Sequence, residues 1–224
     1  MKKNTIDYYH KLKDNFLVED QDLFRFGSIN DGGYYLKPET LKNTEVLFSG
    51  GISSNLEFEY DAFRFNPNIK ILMIDPTISG PKLLIKGFAR LFFKKRDKIR
   101  YIFNALLFNY LLRTERCEHL KLWLNKEQSI FSLLKINFKI EKNILLKLDI
   151  EGSEYDLIDE IVSNQNAFRA MVFEFHDLDK KHELVLKFLK DCSSNFKMVH
   201  LNINPAGGFV NGQPKCIEIS LERL

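Results

Sequence analysis

The sequence has few of the residues that build disulfide-linked, zinc-finger or membrane-spanning proteins. Its three cysteines, Cys117, Cys192 and Cys216, lie far apart and form no CxxC pair. This pattern suggests neither a disulfide framework nor a zinc knuckle. No apolar run reaches the roughly 18 residues of a transmembrane helix. Residues 1–7 also lack the apolar stretch of a secretory signal peptide, so we expect a protein of the reducing cytoplasm.

The composition is that of one globular domain. Of the 224 residues, 45% are hydrophobic and 28% are charged, which suits a single buried core and predicts one domain over residues 1–224. The net charge of +3 is unevenly spread, because residues 82–100 hold eight lysines and arginines but only one acid, Asp97. This one segment makes the chain basic.

Apolar runs alternate with amphipathic stretches from about residue 44 onward, which predicts an α/β protein with a mainly parallel sheet. A helix is expected near residues 5–16, followed by a hairpin centred on residues 31–33. Strands are predicted near residues 45–49, 69–74, 99–103, 144–149, 170–175, 196–202 and 216–221. The last two are joined by a turn at residues 205–208, too short for a parallel crossover, so they should pair antiparallel.

A small-residue loop follows the first of these strands. It contains Gly50 and Gly51, which allow the backbone to approach a ligand, and it leads into a predicted helix whose free N–H groups face the loop. The next strand ends at Asp75. Its separation in sequence from the glycine loop is close to that at which an acid accepts hydrogen bonds from a ribose diol. Because G-x-G-x-x-G is absent, the pattern favours S-adenosylmethionine (SAM), which has no phosphate, over NAD.

Carboxylates cluster where another buried strand ends, at residues 149–154, which read Asp-Ile-Glu-Gly-Ser-Glu. Asp149 should project into the cleft, and His176, at the end of the next strand, should lie beside it. Histidine can serve as a base near neutral pH, and His200 is a further candidate. Glu154 falls where acids complement a helix N-terminus, which indicates a structural role, whereas the role of Glu151 stays open.

A divalent metal is the alternative use of these side chains. Asp149, Glu151, His176 and His200 offer oxygen and nitrogen ligands, but no compact metal-binding spacing is present. The sequence therefore allows a metal without favouring one.

The acidic motif, with Lys147 before it, resembles the Lys-x-Asp-x-Glu-Gly-x-Glu signature of the FkbM-type methyltransferases, a branch of the SAM-dependent class I family. Residues 25–34 resemble that family's Arg-x-Gly-x3-Asp-Gly-Gly-Tyr element, and the resemblance extends over most of residues 23–221. It implies a Rossmann-like class I methyltransferase fold, with a mainly parallel seven-stranded sheet of order 3-2-1-4-5-7-6 and one antiparallel strand near the C-terminus. The candidate cofactor residues are Asp31, Gly32, Ser49, Gly50, Gly51, Asn55, Glu59, Asp75 and Asp149, and the catalytic candidates are Asp149, His176 and His200.

The resemblance implies transfer of a methyl group to a hydroxyl of a saccharide, a glycan precursor or a related small molecule. Residues 78–126 read as a basic, aromatic insertion in which lysine or arginine recurs about every four residues from residue 82. Such a helix could meet a phosphorylated or lipid-linked acceptor, lie on the anionic inner face of a membrane, or only present a solvated face. No nucleic-acid partner is expected. The alternative function is a non-catalytic, membrane-associated binding protein that keeps the fold.

Overall fold

The structure, a computed structural model, describes residues 7–29, 32–92 and 98–224. The helices are α1 (Asp7–Phe16), α2 (Pro38–Lys42), α3 (Glu57–Phe65), α4 (Gly80–Phe92), α5 (Lys98–Leu111), α6 (Ile130–Asn137), α7 (Ile158–Ser163) and α8 (Leu178–Cys192). The strands are β1 (Phe24–Gly27), β2 (Gly33–Leu36), β3 (Val46–Gly50), β4 (Lys70–Ile74), β5 (Cys117–Leu120), β6 (Ile144–Leu148), β7 (Phe168–Phe175), β8 (Phe196–Ile203), β9 (Phe209–Val210), β10 (Gln213–Pro214) and β11 (Ile217–Arg223).

Seven of these strands form one sheet in the order β5-β4-β3-β6-β7-β11-β8. Numbered along the chain, this order is 3-2-1-4-5-7-6. The first five strands pair in parallel, and β11 runs antiparallel to both of its neighbours. The predicted class I methyltransferase fold is therefore confirmed.

The sheet is buried on both faces, which explains why its strands read as near-continuous apolar runs. Successive residues of β6 enter different core clusters, Leu146 and Leu148 in one and Leu145 in the other. Because side chains alternate along a strand, the two clusters lie on opposite faces of the sheet. Helices α1, α6, α7 and α8 contribute to the first cluster, and α2, α3, α4 and α5 to the second.

The strand predicted at residues 99–103 is wrong, because this segment belongs to helix α5. Ala105, Phe108 and Leu111 are buried at helical spacing, and this period overrides the β propensity of the aromatic residues at the start of the helix. The third strand is instead β5. It lies at the sheet edge and buries Cys117 while the rest is half-exposed, so it has no apolar run that would reveal it.

The predicted hairpin is present as β1 and β2, which pair antiparallel with Gly27 opposite Gly33. The backbone N–H of Gly27 donates to Asp61, in the middle of α3, over 2.8 Å, which fixes the hairpin beside this helix. Asp31, one of the candidate cofactor residues, falls outside the described residues.

Candidate functional site

A cavity of about 590 Å³ opens at the carboxyl ends of β3, β4, β6 and β7. The order of the sheet strands reverses between β3 and β6, and ligands of open α/β sheets bind at such a switch point. Gly51, which follows β3, and Asp149, which follows β6, both line this main cavity.

The glycine loop passes very close to the end of β6. Gly51 has a φ of +78°, and a Cβ there would lie 1.7 Å from the backbone oxygen of Asp149. Only glycine fits this position. Gly50 lines neither cavity of the site, because the side chain of Leu124 covers it, 2.6 Å from where a Cβ would stand.

Asp75 lines the main cavity, but its carboxylate is already occupied by the protein. One oxygen accepts the backbone N–H groups of Ile52 and Ser53, and the other accepts the N–H and the hydroxyl of Thr77. Burial alone would raise the pKa of Asp75, but the hydrogen bonds from Thr77, Ser53 and Ile52 outweigh it and lower the pKa. A ribose diol would have to displace one of these donors, so the predicted ribose role stays a prediction.

Ser49 and Glu59, both predicted to contact a cofactor, are completely buried and line neither cavity. The alternation along β3 turns Ser49 towards α3 and away from the cleft. There its hydroxyl donates to Glu59 over 2.5 Å. The Lys147 ammonium lies 3.2 Å from the same Glu59 oxygen and donates to the carbonyl of Gly51 over 2.6 Å. These two predictions are corrected. Ser49, Glu59 and Lys147 form a buried cluster, which supports the glycine loop through the hydrogen bond from Lys147 to Gly51.

A second cavity of about 240 Å³ lies beside the first and shares Ser53 and Asp149 with it. Two more of the candidate cofactor residues, Gly32 and Asn55, line it. The Asn55 side chain accepts the backbone N–H of Glu57 at the start of α3 and donates to Ser28. Arg100 brings a positive charge to this cavity.

The turn at residues 149–154 is held together by its last acid. Glu154 is completely buried and accepts the backbone N–H groups of Ile150 and Gly152. It also lies 2.9 Å from Nδ1 of His176. Glu151 and Gly152 both have positive φ, 55° and 101°, so the chain needs this support to make the turn. The contacts of Glu154 are those of a structural residue.

His176 lies beside Asp149, where the sequence led us to expect it, but in a different chemical state. Its Nε2 is 3.9 Å from Asp149 and 3.6 Å from Glu151. Burial alone would lower the pKa of His176, yet the hydrogen bond with Glu154 and the charges of the surrounding acids raise it to about 9. The imidazole therefore carries a proton at neutral pH, and the prediction that His176 is the base is not supported.

Asp149 keeps a partly exposed carboxylate on the wall of both cavities. The hydroxyl of Tyr34, on β2, lies 3.5 Å from this carboxylate. Burial, and the charge of Asp149 after it, raises the pKa of Tyr34 well above its ordinary value. Tyr34 therefore stays protonated and can donate to Asp149.

His200 lies away from the site. It is paired with Ser220 in the sheet, and its ring packs against that of Tyr35 at 4.3 Å between centroids. Burial and the charge of Arg25 lower the pKa of His200 to about 4. It lines neither cavity, so its assignment as a catalytic candidate is corrected.

Three residues that sequence reasoning did not select line the main cavity: Trp123, Glu174 and Cys216. Glu174 could have been found, because it lies two positions before His176 on one strand and so points to the same side. Cys216 reaches the cavity through the return of the chain into β11, and Trp123 through the loop after the unpredicted strand β5. Neither has a local sequence signal.

The main cavity carries more negative than positive charge. Its charged lining residues are Asp75, Asp149, Glu151, Glu174, Asp177, His176 and Lys215. Five carboxylates thus face one lysine and one imidazolium. Such a lining favours a cationic or neutral ligand and opposes a pyrophosphate.

No family model matches the chain, and no curated protein matches it. Among solved structures it is similar to a Methanococcus jannaschii fibrillarin pre-rRNA processing protein, with 9% identity, a TM-score of 0.44, and coverage of 91% of this chain and 83% of the other. It is also similar to precorrin-6y C5,15-methyltransferase from Geobacter metallireducens GS-15 (12% identity, TM-score 0.43, coverage 93% and 94%). The human methyltransferase 10 domain containing protein gives 10% identity and a TM-score of 0.43, with coverage of 96% and 80%. Structural similarities this low say nothing about a substrate. The fold is assigned from the strand order and register instead.

Proposed function

We propose that the protein is a SAM-dependent O-methyltransferase of the FkbM type that acts on a hydroxyl of a saccharide, a glycan precursor or a related small molecule. The observation that carries the proposal is the acidic cavity at the switch point between β3 and β6. SAM has a sulfonium and an ammonium against one carboxylate, so its charge matches this lining. NAD, with a pyrophosphate, does not.

The residues present fit SAM at both of its ends. In the second cavity, Arg100 offers positive charge to the carboxylate of the methionine part. At the mouth of the main cavity, Trp123 exposes 69% of its surface and offers a flat apolar face for the adenine. The backbone of Gly51 would lie between these ends.

When bound, SAM supplies a methyl group on a sulfonium for in-line displacement. The chain has to orient the acceptor hydroxyl and remove its proton. We assign the proton to the Asp149 carboxylate, because it is partly exposed and lies at the junction of the two cavities. The acidic lining fits a neutral hydroxyl. A phosphate on the acceptor would have to lie outside this acidic lining.

Trp123 is the sole tryptophan of the chain and provides a direct test of cofactor binding. Titration with SAM or S-adenosylhomocysteine should change its fluorescence in a saturable way, whereas NAD should have no effect. Trp123→Ala should raise the Kd of S-adenosylhomocysteine, measured by calorimetry, by about 10-fold or more, because base stacking contributes about 1–3 kcal/mol.

Phe88→Ala is the matched control, since Phe88 is an exposed aromatic residue of α4 and lines neither cavity. Its affinity should equal that of the wild type. Binding of NAD without binding of SAM would overturn the proposed function. An unchanged affinity in Trp123→Ala would remove only the adenine contact.

The exposed faces of α4 and α5 favour a second candidate function, association with an anionic membrane surface. Within the described parts of the chain no helix has the length and apolar character of a membrane span. However, α4 exposes Ile85 and Phe88 next to Lys82 and Lys86. On α5, a stripe of Phe103, Leu106 and Tyr110 is exposed. Apolar side chains beside lysines are typical of helices that lie in a membrane interface.

The membrane candidate predicts sedimentation with vesicles that contain anionic lipid and not with neutral vesicles. Each basic residue near such a surface contributes about 1 kcal/mol, so Lys82→Glu with Lys86→Glu should reduce the bound fraction by more than about 10-fold. The same charge change at the exposed Lys187 and Lys190 of α8 is the control and should have little effect. Equal binding to both vesicle types would rule out recognition of an anionic surface, and binding to neither type would rule out the membrane contact itself.

A further inference from the structure

Three side chains of different chemistry converge on the floor of the main cavity. Glu174 and His176 come from β7, and Cys216 directly precedes β11, which pairs with β7. One ligand atom from each lies within 4.8 Å of the others. Glu174 and Cys216 are each only 5% exposed.

We propose that Glu174, His176 and Cys216 form a binding site for one divalent transition-metal ion of the zinc type. A carboxylate, an imidazole and a thiolate are all zinc ligands, and the thiolate selects against magnesium and calcium. Three protein ligands leave a fourth position open towards the cavity, as in catalytic zinc sites.

The spacing of the ligand atoms fits a shared ion better than it fits hydrogen bonds. Nε2 of His176 is 3.7 Å from Glu174 Oε1, beyond hydrogen-bond length. Two ligands of one tetrahedral zinc ion stand about 3.4 to 3.6 Å apart, given metal–ligand bonds of about 2.0 to 2.3 Å. The pair therefore already has nearly the required separation, and the thiol has to move inward by about 1 Å at most.

Two of the ligands are also held by further side chains in the manner of metal sites. Glu154, which is completely buried, lies 2.9 Å from Nδ1 of His176, so the imidazole turns Nε2 towards Glu174. A carboxylate behind a histidine in this way fixes the orientation and tautomer of a metal ligand. Asn204 donates its amide N–H to Glu174 over 2.9 Å and orients that carboxylate.

The surplus of acids supplies a reason for a cation at this position. Asp149 and Glu151 lie within 3.9 Å and 3.6 Å of Nε2 of His176, in addition to Glu154 and Glu174. These carboxylates surround one imidazole ring, and an ion bound by that ring and by the Cys216 thiolate would take the place of the imidazolium proton and the thiol proton.

Cobalt(II) titration of the full chain, freed of metal with a chelator, tests the site without SAM or an acceptor. One equivalent of Co²⁺ should produce visible d–d bands of a tetrahedral ion and a near-ultraviolet band from thiolate-to-cobalt charge transfer, and Zn²⁺ should displace it. Cys216→Ser should abolish the near-ultraviolet band. Cys192→Ser, which changes another buried cysteine that lines neither cavity, should keep it.

Two further variants keep the test decisive if Cys216→Ser does not fold. Glu174→Gln should retain the charge-transfer band and weaken Co²⁺ binding by at least about 10-fold, and Asn204→Ala should weaken it by about 10-fold through the loss of its support. Absence of the band in the wild type overturns the site, as does its persistence in Cys216→Ser or an unchanged affinity in Glu174→Gln. Because the readout is metal binding alone, failure here leaves the proposed methyl transfer standing, and failure of methyl transfer leaves the metal site standing.

Discussion

Lys147→Met should destabilise the protein by about 3–5 kcal/mol, the cost of leaving one member of a buried ion pair alone. Lys147 is 3% exposed and Glu59 is completely buried. Without the ammonium, the Glu59 carboxylate must stay charged with only the Ser49 hydroxyl as partner, or take up a proton. Urea unfolding followed by circular dichroism measures the loss.

A second substitution separates the lone charge from lost packing. Glu59→Gln in the Lys147→Met background removes the charge but keeps an oxygen for the Ser49 hydroxyl, so most of the lost stability should return. Lys135→Met is the matched control. Its ion pair with Glu141 has side chains 72% and 60% exposed, and such pairs contribute less than about 1 kcal/mol. A double variant no more stable than Lys147→Met alone would show that the ion pair is not the cause.

The same lysine links stability to the site. Its ammonium holds the carbonyl of Gly51, the residue at which the chain passes closest to Asp149. Lys147 and Asp149 are two positions apart, so the alternation along β6 directs both to the same side of the sheet. Lys147 lies within the strand and supports the loop, while Asp149 lies past the strand end and lines both cavities. A sequence motif that looks like one catalytic unit thus combines residues of different function.

The sheet could be predicted wherever strands are buried on both faces, because burial leaves an apolar run in the sequence. The edge strand β5 has no such run, so the sequence predicts no strand there, and the aromatic start of α5 has a strand-like composition instead. For the site, strand ends were found but side-chain directions were not. Ser49 and Glu59, both candidate cofactor residues, lie beside the glycine loop in the sequence but are completely buried and line neither cavity.

Histidines were the least predictable part of the site. His176 lies beside Asp149 as predicted, but carboxylates from two segments of the chain determine its protonation: Glu154 and Asp149 in the turn after β6, and Glu174 in β7. Only their convergence in space reveals this. His200 belongs to β8, separated from β7 by β11, and there its ring packs on Tyr35. Because β11 lies between β7 and β8, His200 does not reach the cavity.

Asp149→Asn should lower kcat for methyl transfer by about 10²- to 10⁴-fold, the usual contribution of a positioned base. The amide keeps the shape of the side chain and its contact with Tyr34 but cannot accept the hydroxyl proton. His176 cannot replace it, because its pKa of about 9 keeps it protonated at neutral pH. The measurement is the rate with an acceptor found by screening saccharides with methyl-labelled SAM, together with the Kd of S-adenosylhomocysteine from Trp123 fluorescence.

Glu151→Gln is the control from the same turn. The Glu151 side chain is 87% exposed, and its loss should change kcat by no more than a few-fold. If Asp149→Asn weakens binding of S-adenosylhomocysteine while kcat at saturation is retained, Asp149 binds the cofactor and the proton goes elsewhere. If kcat falls and the Kd is unchanged, Asp149 acts on the acceptor, because an interaction made only in the transition state lowers kcat and kcat/KM together.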